Sequence, residues 1–154
     1  MQAQISIQIN HSEVKINNTV VQPFFTIDDY IKILGQPSRK ILTAVTSYYY
    51  DNLGFQLASE NSKFISVIKI CYFDKSEFST TSSFKVSLIV GGYSITGYTS
   101  LSSFKSIEDL YIKSDEVMTM LGLYRAAIGT NSFFIAYDHS DTGKLLSIEI
   151  DIKY

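Results

Sequence analysis

The stretch TIDDYIKILGQP, from Thr26 to Pro37, contains its own signals for where a short helix begins and ends. Thr26 suits the N-cap, and Asp29 stands at the third helical position, as in a capping box. Gly35 fits a left-handed C-terminal cap, and Pro37 prevents the helix from continuing. The sequence therefore predicts a helix of about two to three turns over Ile27 to Leu34.

One face of this predicted helix is apolar. Its apolar residues follow the i, i+3, i+4, i+7 spacing of a single buried stripe and are Ile27, Tyr30, Ile31 and Leu34. Asp28 and Lys32 lie off the stripe, and we expect them to be exposed. The pattern predicts that the helix packs on a core through its four apolar side chains.

Patterns typical of β-strands dominate the rest of the chain. Isoleucine alternates with polar residues in QISIQIN, as in a half-buried strand. The pairs Asn17-Asn18 and Gly91-Gly92 each separate two extended arms, and these residues tolerate the positive φ that two-residue hairpin turns require. Further strands are predicted in VTSYYYDNLGFQLA and KFISVIKICYF. The polar stretch from Asp74 to Ser83 is expected to be a surface connection between two halves.

The second half of the chain repeats the order of the first. SIEDL, which begins at Ser106, matches TIDDY, and Leu121-Gly122 matches Leu34-Gly35, so a second helix is expected from Ser106 to Leu121. The strand-like strings SFFI and KLLSI match SYYY and KFISV. The same order of elements in both halves indicates an internal repeat.

These elements predict an α+β fold in which helices pack on an antiparallel sheet. We expect a single compact domain over residues 1–154. We interpret it as a degenerate duplication of a ββαββ unit, with its halves at residues 4–73 and 84–154. An unduplicated α+β domain with similar elements is the alternative.

The composition excludes several classes of function. The formal net charge is −2, and no basic cluster is larger than Arg39-Lys40, so a nucleic-acid partner is not expected. No window approaches the length of about 18 apolar residues that a membrane-spanning helix needs. The N-terminus lacks the regions of a secretory signal, and the single Cys71 cannot form an internal disulfide. We therefore expect a cytoplasmic protein with no membrane partner.

Residues that carry out catalysis or bind metals are scarce. The two histidines are His11 and His139. His139 lies in YDHSD, Tyr137 to Asp141, between two predicted strands, and the Thr-Gly pair that follows is typical of a hairpin loop. No second Cys or His cluster offers further metal ligands, and no serine lies in a G-x-S-x-G motif. We predict no catalytic residue, no metal site and no cofactor, and therefore no enzymatic activity.

Two groups of residues are candidates for binding a partner. The run YYYD offers aromatic rings on both faces of a strand, and exposed rings of this kind are typical of protein interfaces. Packing of all three rings in the core is the alternative. Acidic residues begin both predicted helices, where compensation of the helix dipole also explains them. The selected residues are Tyr48, Tyr49, Tyr50 and Asp51, followed by Asp28 and Glu108.

Three motifs follow one another in the first half: a helix that ends in LGQPSR, an aromatic-Asp-x-x-Gly turn (YDNLGF, Tyr50 to Phe55) and a β-run (SVIKICY). Together they resemble a bacterial domain family of unknown function found in small cytosolic proteins. The same order is similar to the outer-membrane assembly lipoprotein BamE and to the duplicated β-lactamase inhibitory protein. The resemblance covers Ile5 to Phe73 most closely. It implies an immunity or inhibitor role, and it assigns no functional residue beyond the turn from Asp51 to Gly54.

Three functions follow as hypotheses. The first is a non-catalytic protein-binding module, most specifically a bacterial immunity protein that neutralises a cognate toxin by stoichiometric binding. The second is a structural or adaptor subunit of a larger assembly. The third is an enzyme whose site the sequence does not reveal. We expect the first, with another protein as the partner, and the sequence does not determine the oligomeric state.

Overall fold

The computed structural model describes residues 5–61, 63–73, 85, 87–139 and 143–152. Within these residues strand accounts for 45% and helix for 14%, so the fold is mostly β and the predicted α+β class is wrong. The elements in chain order are β1 Ser6–Ile9, β2 Val14–Ile16, β3 Thr19–Val20, α1 Ile27–Leu34, β4 Arg39–Leu42, β5 Thr46–Tyr50, β6 Phe55–Ser59, β7 Val67–Cys71, β8 Ser87–Val90, β9 Tyr93–Ile95, α2 Leu101–Lys105, β10 Leu110–Lys113, α3 Glu116–Met120, β11 Leu123–Ile128, β12 Asn131–Tyr137 and β13 Leu145–Asp151.

The strands form two sheets. The five-stranded sheet has the order β3-β2-β1-β8-β9, and the eight-stranded sheet has the order β10-β11-β12-β13-β7-β6-β5-β4. Strands β1 and β8 are parallel, whereas neighbouring strands of the eight-stranded sheet are antiparallel. Each sheet therefore combines strands from both halves of the chain, which meet at β1–β8 and at β7–β13.

The two halves share an order of elements. Each has a hairpin, a helix and four consecutive antiparallel strands: β1-β2, α1 and β4 to β7 in the first, and β8-β9, α2 and β10 to β13 in the second. The unit is not the predicted ββαββ, because four strands follow each helix. The duplication, with halves at residues 4–73 and 84–154, stays a hypothesis. The predicted connection from Asp74 to Ser83 lies outside the described residues.

One hydrophobic core extends over both sheets. In the five-stranded sheet, Ile7 of β1 is paired with Leu88 of β8, and both are fully buried. In the eight-stranded sheet, Ile70 of β7 is paired with Ile148 of β13, and these are also fully buried. Since burial of such a side chain contributes roughly 1.5–3 kcal/mol, the two pairs stabilise the contact between the halves.

Helix α1 has the bounds that the sequence predicts, Ile27–Leu34. The backbone N–H and the hydroxyl of Thr26 both donate to the Asp29 carboxylate, at 2.9 and 3.0 Å. The bond from the Thr26 backbone lowers the pKa of Asp29. Gly35 ends the helix with a φ of 82°, and its N–H donates to the carbonyl oxygen of Ile31 at 2.8 Å. The local signals in the sequence therefore fix this helix at both ends.

The burial of α1 is smaller than predicted. Only Tyr30 is fully buried, where its ring packs edge-to-face on Phe25 with ring centroids 5.7 Å apart. Asp28 and Lys32 are exposed, as predicted. The other three residues of the predicted stripe are only half-buried, and they are Ile27, Ile31 and Leu34. The helix therefore lies at the margin of the core and reaches into it with one ring.

The second predicted helix, from Ser106 to Leu121, does not form as one element. Helix α2 ends at Lys105, the chain turns at Asp109 with a φ of 62°, and β10 and the separate α3 follow. The match of SIEDL with TIDDY is therefore wrong. Its physical reason is that β10 pairs with β11, and this tertiary pairing outweighs the local helix signal. Among the described residues, no helix has the length and apolar content to cross a membrane.

Candidate functional site

The tyrosines predicted to bind a partner do not form an exposed face. Tyr48, Tyr49 and Tyr50 keep 8%, 2% and 3% of their surface exposed. Tyr50 stacks on Phe55 with ring centroids 4.9 Å apart, and its hydroxyl donates to the carbonyl oxygen of Gly35 at 3.0 Å. Burial raises the pKa of Tyr50 to about 12. The three rings therefore serve the packing of β5.

Tyr49 is covered by an ion pair at the edge of the sheet. Arg39 of β4 lies opposite Tyr49, with its guanidinium carbon 3.9 Å from the ring centre. Its Nε and Nη2 donate to the Asp51 carboxylate at 2.8 and 3.2 Å, and this bonding raises the pKa of Arg39. The backbone N–H of Asp51 donates to the Ser38 hydroxyl at 3.1 Å. Asp51 therefore holds the edge strand β4 in place.

The predicted acidic residues lie apart from this group. Asp28 is exposed in the first turn of α1, as expected. Glu108 is also exposed, but it lies in the turn between α2 and β10 and not at the start of a helix. Neither carboxylate forms an ion pair within the part of the chain that the structure describes. The structure thus brings together only Tyr48 to Asp51, on one strand and its turn.

A group of exposed apolar side chains was not predicted from the sequence. Over the described ranges, the exposed large hydrophobic residues are Phe24, Leu42, Tyr93, Tyr98, Tyr111, Val117, Met120 and Leu121. The last four of these belong to one segment, residues 111–121, which runs from within the edge strand β10 to the end of the helix α3. This segment is therefore the best candidate for a contact surface.

Helix α3 presents an apolar stripe to solvent. Val117, Met120 and Leu121 follow the i, i+3, i+4 spacing of one helix face, and 66%, 73% and 56% of their surfaces are exposed. No residue of Glu116–Met120 is buried. The spacing in VMTML is the sequence signal for this stripe, but it does not reveal whether the stripe faces the core or solvent.

Hydrogen bonds fix α3 at the end of the β10–β11 pair. The Asp115 carboxylate accepts from the backbone N–H of Met118 at 2.8 Å and so caps the helix. The Ser114 hydroxyl donates to the carbonyl oxygen of Leu123 at 2.9 Å and lies 2.8 Å from the Thr119 hydroxyl. The apolar stripe is thus held by a capped helix tied to β11.

Polar and aromatic side chains lie beside α3 on the face of the sheet that points away from the core. Tyr111 is opposite Ala127 and Lys113 is opposite Arg125, so all four share this face. Tyr111 is 69% exposed, and Lys113 and Arg125 are exposed as well. The guanidinium carbon of Arg125 lies 4.9 Å from the ring centre of Phe134. We define the β10–α3 surface as Tyr111, Lys113, Val117, Met120, Leu121 and Arg125.

The histidines and carboxylates do not converge on a reactive centre in the described part of the chain. No group of three or more His, Cys, Asp or Glu side chains is arranged there to hold a metal ion. His11 pairs with Asp109 at 3.0 Å and links the two halves of the chain. His139 is exposed, and Asp141 of the same predicted loop lies outside the described residues.

A cavity of about 320 Å³ opens between the β2–β3 hairpin and the ends of β12 and β13. Several of its polar side chains already bind within the chain. Glu13 pairs with Lys15 at 2.9 Å, and the hydrogen bond from Lys15 lowers the pKa of Glu13. The Asn131 amide donates to the carbonyl oxygen of Asn10 at 2.6 Å. These contacts join the N-terminal hairpin to the eight-stranded sheet.

Comparison with known proteins identifies a similar fold and a family. A crystal structure of a cysteine-rich secretory protein from Staphylococcus aureus subsp. aureus Mu50 is similar, with a TM-score of 0.53 and 13% sequence identity. The similarity covers 98% of this chain and 52% of that protein, so the chain spans about half its length, and at this identity it shows the fold alone. No curated protein matches the chain. The model of a domain of unknown function, DUF7738, matches residues 6–105, and the chain therefore belongs to this family.

Proposed function

We propose that this chain is a non-catalytic protein-binding module that acts by stoichiometric binding through the β10–α3 surface. The supporting observation is that Val117, Met120 and Leu121 of the α3 segment are exposed to solvent. Tyr111 on the preceding edge strand β10 is exposed as well. Grouped exposed apolar side chains of this kind mark contact sites in soluble proteins. Tyrosine, methionine and arginine are also the residue types enriched at the centres of protein interfaces.

The energetics of this surface favour binding. Full burial of one large apolar side chain is worth roughly 1.5–3 kcal/mol, and four large apolar or aromatic side chains are more than half exposed here. Because Ser114 and Asp115 already fix α3, little conformational entropy is lost when a partner covers it. A partner that covers the four side chains therefore gains several kcal/mol before the costs of association.

The more specific proposal is an immunity role, in which the partner is a toxin that is neutralised by stoichiometric binding. Its support is the resemblance of the N-terminal half to inhibitory proteins such as the β-lactamase inhibitory protein. The β10–α3 surface lies beyond residues 6–105, so we propose that partner choice resides outside the segment that matches the family. We also propose the cytoplasm as the location, because the buried Cys71 has no disulfide.

Differential capture from the native host tests the binding proposal. The baits are the wild-type chain, the double variant Tyr111→Ser/Met120→Ser, and the control Leu42→Ser, which changes a side chain that is 71% exposed at the opposite edge of the sheet. Circular dichroism and thermal unfolding verify that all three are folded. We expect the wild type and the control to retain a partner in stoichiometric amount and the double variant to lose it. Equal capture by all three baits would contradict the choice of surface.

Co-expression tests the immunity role. A toxin encoded by a neighbouring reading frame is the candidate, and growth of cells that express it is the readout. We expect the wild type and Leu42→Ser to restore growth and Tyr111→Ser/Met120→Ser to fail. Measurable turnover by the purified protein that disappears when His139 is replaced would overturn the non-catalytic proposal.

A further inference from the structure

We infer that the β10–α3 surface receives an acidic segment of the partner, with a carboxylate between Lys113 and Arg125 and apolar side chains against Tyr111 and α3. The inference rests on the proposed function and adds the chemistry of the partner to it. It starts from an arrangement of charges on β10 and β11 that does not stabilise the sheet.

Lys113 and Arg125 are direct cross-strand neighbours on the exposed face of the sheet. Like charges directly opposite each other destabilise an antiparallel pair of strands. Arg125 lies instead over the ring of Phe134 on β12, with 4.9 Å between the guanidinium carbon and the ring centre. The sheet therefore concentrates two positive charges at one position beside its edge, at a cost in stability.

Within the described residues, no carboxylate neutralises these two cations. Neither Lys113 nor Arg125 forms an ion pair there. Glu149 belongs to the same cross-strand row, but β12 separates it from Arg125 by two strand spacings, roughly 9–10 Å. Asp115 accepts the capping hydrogen bond of α3, and Glu116 is exposed in the first turn of that helix. The side chains of β10 and β11 on this face thus present two positive charges, and the nearest carboxylates in sequence, Asp115 and Glu116, lie at the start of α3.

The opposite edge shows how the same sheet neutralises a cation. There Arg39 lies on the ring of Tyr49 and is bonded to the Asp51 carboxylate at 2.8 Å. Arg125 has the matching contact with an aromatic ring, but the carboxylate is missing from the described part of its surroundings. A carboxylate supplied by the partner would give Arg125 the partner that Asp51 gives to Arg39.

The surroundings favour an acidic protein segment over a nucleic acid. Proteins that bind polyanions neutralise several phosphates along an extended basic stripe. Here two cations lie on β10 and β11, the strands that α3 connects, four exposed apolar side chains belong to β10 and the α3 segment, and the chain has a net charge of −2. A protein segment that contains both carboxylates and apolar side chains complements both features of the surface.

An NMR titration of the isotope-labelled full chain with short synthetic peptides tests the inference. The probe alternates Glu with Leu, and two matched peptides carry Gln or Lys in place of Glu. We expect saturable shifts of the backbone amides of Tyr111, Lys113 and Arg125 with the Glu peptide only. The variant Lys113→Gln/Arg125→Gln should bind it at least about tenfold more weakly. The control Lys63→Gln/Lys105→Gln, which removes the same charge from exposed sites elsewhere, should bind like the wild type.

Failure of this inference and failure of the proposed function give different results. If the Lys113→Gln/Arg125→Gln bait captures the host partner as the wild type does while Tyr111→Ser/Met120→Ser loses it, the acidic segment is wrong and the binding function stands. Equal shifts with the Gln peptide would also overturn the inference. Larger shifts of the same amides with a single-stranded oligonucleotide or with phosphatidylglycerol vesicles would overturn it in favour of a polyanion or a membrane surface.

Discussion

The two edge strands of the eight-stranded sheet, β4 and β10, hold equivalent positions in the strand order. They differ in whether their outward-facing side chains have interaction partners within the chain. At β4, Arg39 is bonded to Asp51 and covers Tyr49. At β10, Tyr111 is 69% exposed, and Lys113 has no ion pair in the described part of the chain. Protected edges are the rule in soluble proteins. The chain therefore protects the β4 edge itself, and we propose that a partner protects the β10 edge.

The helices next to the two edges also differ in how much of their apolar surface is buried. Helix α1 precedes β4 and places Tyr30 fully inside the core. Helix α3 follows β10 and buries no residue, although its apolar residues have helical spacing. The apolar residues of α1 therefore contribute to folding stability, and those of α3 are available for contact with another molecule.

The largest difference between the edges is expected at the glycines that end α1 and α3. Gly122→Ala should lower the free energy of unfolding by roughly 3–5 kcal/mol, because φ is 73° and the new Cβ would lie 2.3 Å from the carbonyl oxygen of Tyr137. Gly35→Ala, with a φ of 82° and no atom within 4 Å, should cost only roughly 1–3 kcal/mol of backbone strain. Urea unfolding followed by circular dichroism measures both. Equal costs would show that Gly122, which follows α3, is not packed closely against β12.

An intermediate effect is expected at the two arginines. Asp51→Asn should destabilise the protein by about 2 kcal/mol, less than for a fully buried pair because the Arg39 side chain is 34% exposed. Arg125→Gln should change the free energy of unfolding by less than about 0.5 kcal/mol or raise it, because it removes the repulsion from Lys113. Thermal unfolding at low ionic strength compares the two variants. A large loss of stability from Arg125→Gln would show that Arg125 stabilises the fold, and the proposed difference between the two edges would be wrong.

The smallest effect is expected on α3 itself. Val117→Ser and Met120→Ser should each change the free energy of unfolding by less than about 0.5 kcal/mol, because both side chains are mainly exposed. Chemical denaturation measures the free energy of unfolding of each variant. Tyr30→Ala, which removes a ring buried in the core, is the reference for a large loss of stability. Strong destabilisation by Met120→Ser would mean that the stripe packs within the chain, and the helix would lose its proposed role.

Elements that depend on neighbouring residues were predictable from the sequence. The bounds of α1 follow from its caps, and the turn at Asn17-Asn18 has the positive φ of 56° that a two-residue hairpin requires. The same holds for Gly91-Gly92 between β8 and β9. The expected membership of a family of unknown function is confirmed by the match over residues 6–105. The similarity to BamE and to the β-lactamase inhibitory protein stays a prediction.

Elements that depend on distant residues were not predictable. The acidic start at Glu108-Asp109 is typical of a helix, but Asp109 takes a positive φ and the next residues pair with β11. The predicted fold class was wrong because strands in two sheets dominate the structure, and pairing with β11 makes part of the expected second helix an edge strand. No local pattern in SIEDLYIK encodes its partner strand.

The exposure of the tyrosine rings was not predictable from the sequence, because burial depends on what covers a side chain. Tyr49 is buried because Arg39, held by Asp51, lies on its ring, and the tyrosine run contains no sign of this cover. The spacing of Val117, Met120 and Leu121 indicates a helix face, but the exposure of that face depends on the position of α3 at the end of the β10–β11 pair. The direction of an apolar face is a property of the assembled fold.

Site-specific photo-crosslinking in the native host compares the two edges directly. A photoreactive amino acid replaces Met120 on α3 in one strain and Leu42 on β4 in another, and these side chains are 73% and 71% exposed. We predict a discrete crosslinked complex with one partner protein from the Met120 position and none from the Leu42 position. Its yield should fall when Lys113 and Arg125 are both replaced by Gln. The same partner crosslinked with equal yield from Leu42, or from Leu42 alone, would contradict the claim that the β10 edge is the binding edge.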